Sequence, residues 1–392
     1  MRTKGEDITM ATNKKRSSRE GEIRRSGKKG MSARAKAKKK KRRIILFVVE
    51  IFVLLIMLVV LYGVLKTEKI GKISINEDDI VINDQVVQNT TMKGYRNIAL
   101  FGVDARNGAL GKGTRTDTII IASVNEDTRD VKLVSVYRDT YLNLSNDSYN
   151  KCNSAYAKGG PEQAINMLNM NLDMNITDYV TVGFAGLVDT INELGGVEID
   201  VDSSELDHLN NYQICIAEDL GTTYTPVKST GLQTLDGMQA TAYCRIRYTK
   251  GNDFKRAERQ REVLMAVTEK AKKASPSTLN SIANKVFPQV STSLGLEEII
   301  SLLGGVTDYS IVDNTGFPFE SNRTTGNIGK KGSCVIPMSL AENVELLHKF
   351  LFDAPDYVAS DSVKEYSKKI ESDTSSYVGK SAGKTADTQI EE

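Results

Sequence analysis

The amino-acid sequence predicts an α/β domain, a central mixed and largely antiparallel sheet with helices on both faces, preceded by one transmembrane helix. Three observations carry that prediction. Strand-like and helix-like runs alternate between residues 97 and 274, the pattern of a sheet covered on both faces. The first three strand runs (97–104, 117–125 and 131–139) follow one another with no helical run between them, so they pair antiparallel. Residues 44–65, "IILFVVEIFVLLIMLVVLYGVL", are apolar except for Glu50, and at 1.5 Å per residue they span about 33 Å, enough to cross a bilayer core.

The ends of the chain differ from its middle. Residues 1–43 hold 18 Lys/Arg against 4 Asp/Glu, while the remaining chain holds 34 against 46, so a formal charge of +2 conceals a basic tail and an acidic body. The flank "RAKAKKKKRR" orients the span with its N-terminus inside, which leaves everything after Leu65 outside the cell. A cleaved signal peptide is the weaker reading, because the run exceeds a signal core and no A-x-A-like site follows. The basic tail has no aromatic residue to stack on bases, so it reads as a disordered topology signal and not as a nucleic-acid site. Residues 66–95 read as a polar stalk, 96–352 as the folded domain, and 353–392, rich in Ser, Lys, Thr, Asp and Glu, as a disordered tail.

Within the domain, "DTIIIASVN" (117–125) is apolar along most of its length and should be buried on both faces. "GPEQAINMLNMNL" (160–172) has helical spacing with Pro near its start. The stretch 180–201 reads strand, helix, Gly-Gly stop, strand. An irregular region runs to about Lys228, then helix and strand share 230–249, and a long helix covers 253–274, with Asp253 as its N-cap.

Charged residues converge in two places. An antiparallel trio brings Asp104, Asp117 and Arg138 to one edge of the sheet. Two carboxylates there repel unless a cation joins them; hard oxygen donors suit Mg²⁺ or Mn²⁺. Salt bridges to Arg106, Lys112 or Arg115 explain the same pair equally well. The second place is "YCRIRYTKGNDFKRAERQR" (243–261), with seven Lys/Arg against Asp253 and Glu258. Strand alternation puts Arg245 and Arg247 on one face. Helical spacing puts Arg256, Arg259 and Gln260 in one stripe, continued by the apolar Val263, Leu264 and Val267. Guanidinium forks bind phosphate oxygens in pairs, so a pyrophosphate would satisfy this cluster; a solvated basic face is the plain alternative.

Other chemistries find little support. His208 and His348 are the only histidines, which leaves no His-based triad or zinc site. "SAGK" (381–384) and "SGKK" (26–29) fall in the tails, and "GALGKGT" (108–114) lacks P-loop spacing. Cys152, Cys215, Cys244 and Cys334 form no C-x-x-C motif and read as small buried fillers, although a pairing such as Cys215 with Cys244 stays open.

"LFGVDARNGALGKGTRTDTIIIASVN", "VKLVSVYRDTYL", "KCNSAYAKGG", "VGFAGLVDTINELGGVEIDV" and "GLQTLDGMQATAYCRIRYTKGNDFKRAERQR" resemble, in order, the blocks of the LytR-CpsA-Psr family. The resemblance implies a membrane-anchored enzyme of Gram-positive-type envelopes. Such an enzyme moves a teichoic acid, capsular or secondary wall polysaccharide from a polyprenyl-pyrophosphate carrier to peptidoglycan and releases polyprenyl phosphate. It implies Asp104 and Asp117 as the magnesium-associated pair. Arg138 becomes the arginine of the family's "PRD", here after Tyr137 instead of proline, and Asp139 a candidate base. Arg245, Arg247, Arg256 and Gln260 become pyrophosphate ligands, with Arg259 and Arg115 beside them. Cys152 departs from the family's apolar residue there and reads as packing. The apolar faces around 164–192 would line a tunnel for the carrier's chain. A hydrolase using water as acceptor and a non-catalytic lipid-binding regulator are the rival expectations.

Overall fold

The structure, a computed structural model, describes residues 75–104, 110–295 and 307–377, with 298, 299, 302 and 305 between. The basic tail, the 44–65 span, Arg106 and the 381–384 motif lie outside the described residues. Among the described residues no helix is long and apolar enough to cross a membrane.

In chain order the elements are α1 (Asp84–Gln88), β1 (Tyr95–Val103), β2 (Thr116–Asn125), β3 (Asp130–Val136), β4 (Tyr141–Asn143), β5 (Tyr149–Lys151) and α2 (Asn153–Leu172). Then come β6 (Asp178–Gly183), α3 (Phe184–Glu193), β7 (Val197–Val201), α4 (Ser203–Leu220), β8 (Gly231–Leu235), α5 (Gly237–Tyr243), α6 (Asn252–Lys272) and α7 (Pro276–Val286). The chain continues through β9 (Val290–Thr292), β10 (Ser310–Phe317), β11 (Arg323–Asn327), β12 (Ser333–Pro337), α8 (Leu340–Phe352) and α9 (Asp361–Thr374).

Six strands form the central sheet in the order β10-β3-β2-β1-β6-β9. The β1–β2, β2–β3 and β6–β9 pairs are antiparallel, whereas β1–β6 and β3–β10 are parallel. The sheet is therefore mixed and mostly antiparallel, as expected, and its strands alternate between two unlike faces. Ala99, Phe101, Val103, Ile119 and Ile121 join the main core, shared with α2, α8 and α9. Ile120, Ala122, Val124 and Leu133 face the opposite way, where Leu264 of α6 packs.

Five expectations are corrected. Residues 243–249 are not a strand: α5 runs to Tyr243 under an Asp236/Gln239 capping box, and the amides of Arg245 and Ile246 then bond back to the carbonyls of Ala242 and Tyr243. The period of two in that segment comes from a tight turn that buries Ile246. The irregular 202–228 region contains α4, announced by the Asp202-x-x-Glu205 capping box. Helix α2 starts at Asn153, not near Gly160; Gly160 (φ 73°) and Pro161 mark a kink inside it. The polar C-terminal segment is not wholly a disordered tail, since α9 buries Val363 and Ile370 in the main core. Its polar composition conceals an apolar stripe with Ser360 as N-cap. The folded body also begins before Arg96, because Val86 and Met92 are core residues.

All four cysteines are free, and all but Cys215 are buried. His348 of α8 is 0% exposed, donates Nε2–H to the Leu172 carbonyl at 3.1 Å, and stacks on Tyr357 at 3.6 Å. Burial pushes its pKa down to about 4. A histidine with a depressed folded pKa must gain a proton on unfolding in acid, so its contribution is complete above about pH 6.5 and is lost as pH falls toward 4. The unfolding free energy from urea titrations should be lower at pH 4.5 than at pH 7, by up to about 1.4 kcal/mol per pH unit from this group within the window. The His348→Gln variant should show a flatter dependence; equal slopes would remove His348 as the cause.

Candidate functional site

The site begins with strand register. Ile120 of β2 faces Ser135 of β3, and continuing that pairing sets Asp117 opposite Arg138, whose Nη1 donates to Asp117 Oδ1. The β1–β2 pairing shifts at Gly102/Val103, so Val103 faces Thr116 and Asp104 leaves the sheet at the same edge. Gly102 is required there, because a Cβ on it would lie 2.9 Å from the Cβ and Oγ1 of Thr118. Asp104, Asp117 and Arg138 thus share one sheet edge, and Asp117 is paired there with Arg138, a partner the salt-bridge reading did not name.

Helix α6 and the 244–251 turn before it bring the other cations. Arg247 grips Asp253 with Nε on Oδ1 and Nη2 on Oδ2, both at 3.0 Å, and Arg256 Nη2 reaches the same Oδ1 at 3.0 Å. Asp253 is not the N-cap, which falls at Gly251; it is the anion that lets the buried Arg256 and the half-buried Arg247 coexist. Burial opposes ionisation of Asp253, yet Arg256 and Arg247 hold its carboxyl below the ordinary range. Burial, partly offset by Asp253, holds Arg256 below its ordinary value, and the nearby charges of Arg138 and Arg247 push the same way. Arg245 stacks over Phe184 at 4.9 Å and lies 3.9 Å from Asp219.

These groups surround one end of a cavity of about 410 Å³. Asp117, Arg138, Arg245, Arg247, Arg256 and Gln260 form that end; Leu100, Ile120, Val180, Val182, Leu264 and Val267 form much of the rest. Of the expected apolar tunnel, only the part from β6 and α3 lines it, since Ala164, Ile165 and Leu168 pack into the main core on the other face. At the charged end, Arg138 Nε, Arg245 Nη1 and Arg256 Nε are buried with no hydrogen-bond acceptor. Buried donors are nearly always satisfied, so three together describe a place shaped for an anion.

Two predicted pyrophosphate ligands, and Asp104 of the predicted metal pair, are not in the cavity. Arg115 is exposed outside it. Arg259 is 1% exposed and bonded to Glu205 at 2.8 Å. Helical spacing misled here, because three residues on from Arg256 and one before Gln260 the side chain turns toward α4. The candidate base Asp139 is 8% exposed, with Arg138 Nε at 3.7 Å and Lys151 Nζ at 3.5 Å from its Oδ1. Lys151 was missed by sequence reasoning; it ends β5, whose pairing with β4 delivers it, and nothing local announces it. Among the described residues no group of three acidic, His or Cys side chains is placed to hold a metal. Two carboxylate donors at one edge, Asp104 and Asp117, nonetheless suit a hard divalent cation completed by ligand oxygens.

Asp253→Asn should lower the unfolding free energy by about 1–3 kcal/mol, because Arg247 and Arg256 lose their shared counter-charge. Inorganic pyrophosphate should raise the melting temperature of that variant more than that of the wild type. An equal or smaller rise would mean that Asp253 does not compensate the pair.

The LytR_cpsA_psr family model matches residues 58–332. The polyisoprenyl-teichoic acid–peptidoglycan teichoic acid transferase TagT of Bacillus subtilis (strain 168) is 30% identical over 230 residues, 57% of this chain and 69% of that protein. TagU of Enterococcus faecalis (strain ATCC 700802 / V583), with the same activity in its name, is 33% identical over 198 residues, 50% of this chain and 58% of that protein. Among solved structures, TagT bound to LI-WTA superposes with a TM-score of 0.53 at 23% identity, covering 68% of this chain and 93% of that one. TagV of B. subtilis superposes at 0.52 with 27% identity, covering 68% and 99%. The family match spans well over half the sequence, and with it the sheet edge and the arginine helix: the chain belongs to the LytR_cpsA_psr family.

Proposed function

We propose that this chain transfers a glycopolymer from a polyprenyl-pyrophosphate carrier to peptidoglycan. The observation that carries the reading is the cavity's division into an arginine end, with three buried nitrogens lacking acceptors, and an apolar remainder. That shape fits an amphiphile with a multiply charged phosphate head and a hydrocarbon chain. Relatives named as teichoic acid transferases acting on polyisoprenyl-linked polymer support it.

In the reaction, a hydroxyl of the acceptor attacks the sugar-side phosphorus. A new P–O bond forms, the bridging P–O bond to the lipid-side phosphate breaks, and polyprenyl phosphate leaves with that electron pair. Arg138, Arg245, Arg247 and Arg256 bind the diphosphate oxygens and stabilise the charge that grows as the bond breaks. Gln260, on the helix face of Arg256, helps orient them. Asp139 takes the acceptor's proton, its carboxylate oriented by Arg138 and Lys151. A Mg²⁺ or Mn²⁺ ion held by Asp104 and Asp117 would supply further neutralisation of the diphosphate when bound. The apolar half excludes water from the phosphorus and fixes the carrier's chain. The 44–65 span anchors the domain on the outer membrane face, beside its lipid substrate.

The full-length chain in detergent, given polyprenyl-pyrophosphate glycan, Mg²⁺ and peptidoglycan oligomers, should yield linked glycan and polyprenyl phosphate. Polyprenyl phosphate without linked glycan would make it a hydrolase, and no turnover a binding module. Arg138→Ala and Arg245→Ala should each cut transfer by about 10²–10³-fold while circular dichroism stays unchanged, in line with the loss of one charge-stabilising donor. Val267→Trp, which fills the apolar half, should raise KM for a long-chain donor far more than for a geranyl one. An equal effect on both would place the chain elsewhere.

A further inference from the structure

Arg259 uses all three of its guanidinium nitrogens. Nε donates to Glu205 Oε1 at 2.8 Å, Nη1 to the Ile246 carbonyl at 3.1 Å and Nη2 to Thr249 Oγ1 at 2.7 Å. Glu205 is 3% exposed, and its second oxygen accepts the Asp202 amide at 2.9 Å in the capping box of α4. One ion pair therefore fastens the first turn of α4 to the middle of α6, and the remaining fork holds the connecting turn at residues 246 and 249, on either side of Arg247. That turn needs holding. It pairs with no strand, and its backbone bonds are all local: Arg245 to Ala242, Ile246 to Tyr243, and Asn252 back to Thr249.

We propose that Arg259 and Glu205 are a positioning pair. They set the Arg245/Arg247 turn at a fixed distance from Arg256 on α6, so that three guanidiniums from two segments meet one diphosphate. The pair cannot itself serve as a ligand, because moving Arg259 toward the cavity would abandon a buried carboxylate and open both bonds to the turn. This rests on reading the three arginines as diphosphate ligands. It adds that their geometry is set from the far side of α6, by residues that never touch substrate.

The test uses the full-length chain in detergent and two readouts, amide hydrogen exchange over 244–251 and binding of farnesyl diphosphate. Replacing both partners by Met (Arg259→Met with Glu205→Met) exchanges a buried ion pair for apolar side chains of similar size, which folds tolerate. The melting temperature should therefore stay near that of wild type. Exchange over 244–251 should rise about tenfold or more relative to α5, and farnesyl diphosphate affinity should fall about tenfold, the cost of a turn that opens freely. In turnover, KM for the donor should rise more than kcat falls. Thr249→Val should move both readouts in the same direction by less. Arg259→Lys keeps the charge beside Glu205 but loses the fork, and it decides the matter by the same readouts should the double variant fail to fold. A folded variant with wild-type exchange and wild-type affinity overturns the proposal. If wild type itself binds no farnesyl diphosphate, the diphosphate reading fails, while the exchange result still decides whether the pair holds the turn.

Discussion

Like charges cannot be stacked inside a protein without something negative among them, and the architecture around α6 answers to that constraint. Arg138, Arg247 and Arg256 are brought together at the mouth of an apolar cavity, where each feels the others strongly because little water intervenes. The chain supplies only partial compensation. Asp117 meets Arg138 and Asp253 meets Arg247 and Arg256, while several guanidinium nitrogens remain without acceptors. Full compensation would make a stable but closed salt-bridge network. The shortfall leaves an electrostatic and hydrogen-bonding deficit, which under the proposed function a diphosphate makes good.

The fold explains how the deficit is held open. The Asp117–Arg138 edge is fixed by sheet register, and a one-residue slip would send both side chains to the other face. The α6 side is fixed differently, by a turn with no sheet partners. Tyr137 and Phe254 meet edge to face at 4.7 Å, and Arg323 lies over Phe254 at 3.9 Å while donating to the Tyr137 hydroxyl at 2.9 Å. These contacts brace the residue before Arg138 against the first turn of α6. Tyr137, where the family often has proline, is therefore a packing element that ties the two halves of the site together, and Arg323 brings β11 into the same support.

What the sequence revealed and what it hid follow from range. Strands 97–104 and 117–125 were legible because their apolar runs and bounding turns are local, and from their pairing the meeting of Asp104, Asp117 and Arg138 followed. The arginine cluster was legible because seven cations crowd nineteen residues. Its division of labour was not. Arg259 looks identical to Arg256 in sequence, and only Glu205, 54 residues earlier, distinguishes a buried clamp from a cavity ligand. Lys151 was hidden for the same reason, since a hairpin of short strands delivers it. Helix α9 was missed because composition averaged over the tail outweighed three apolar side chains at helical spacing, and α4 because a capping box inside a polar stretch was not weighed.

One helix serves both halves of the cavity, and this bears on what the cavity can accept. Arg256 and Gln260 face the charged end, while Leu264 and Val267 line the apolar part. Arg256 and Val267 are separated by eleven residues, about 16 Å of helix axis. A ligand lying along α6 must therefore change from multiply anionic to hydrocarbon within a few bond lengths and then remain hydrocarbon over the next turns. A nucleotide offers the multiple charges without the chain, a fatty acid offers the chain with a single carboxylate, and a neutral lipid offers the chain with no anion. Under the proposed function, this side-chain spacing on a single rigid element matches a phosphorylated lipid of some length, with Arg256 and Gln260 at its head and Leu264 and Val267 along its chain.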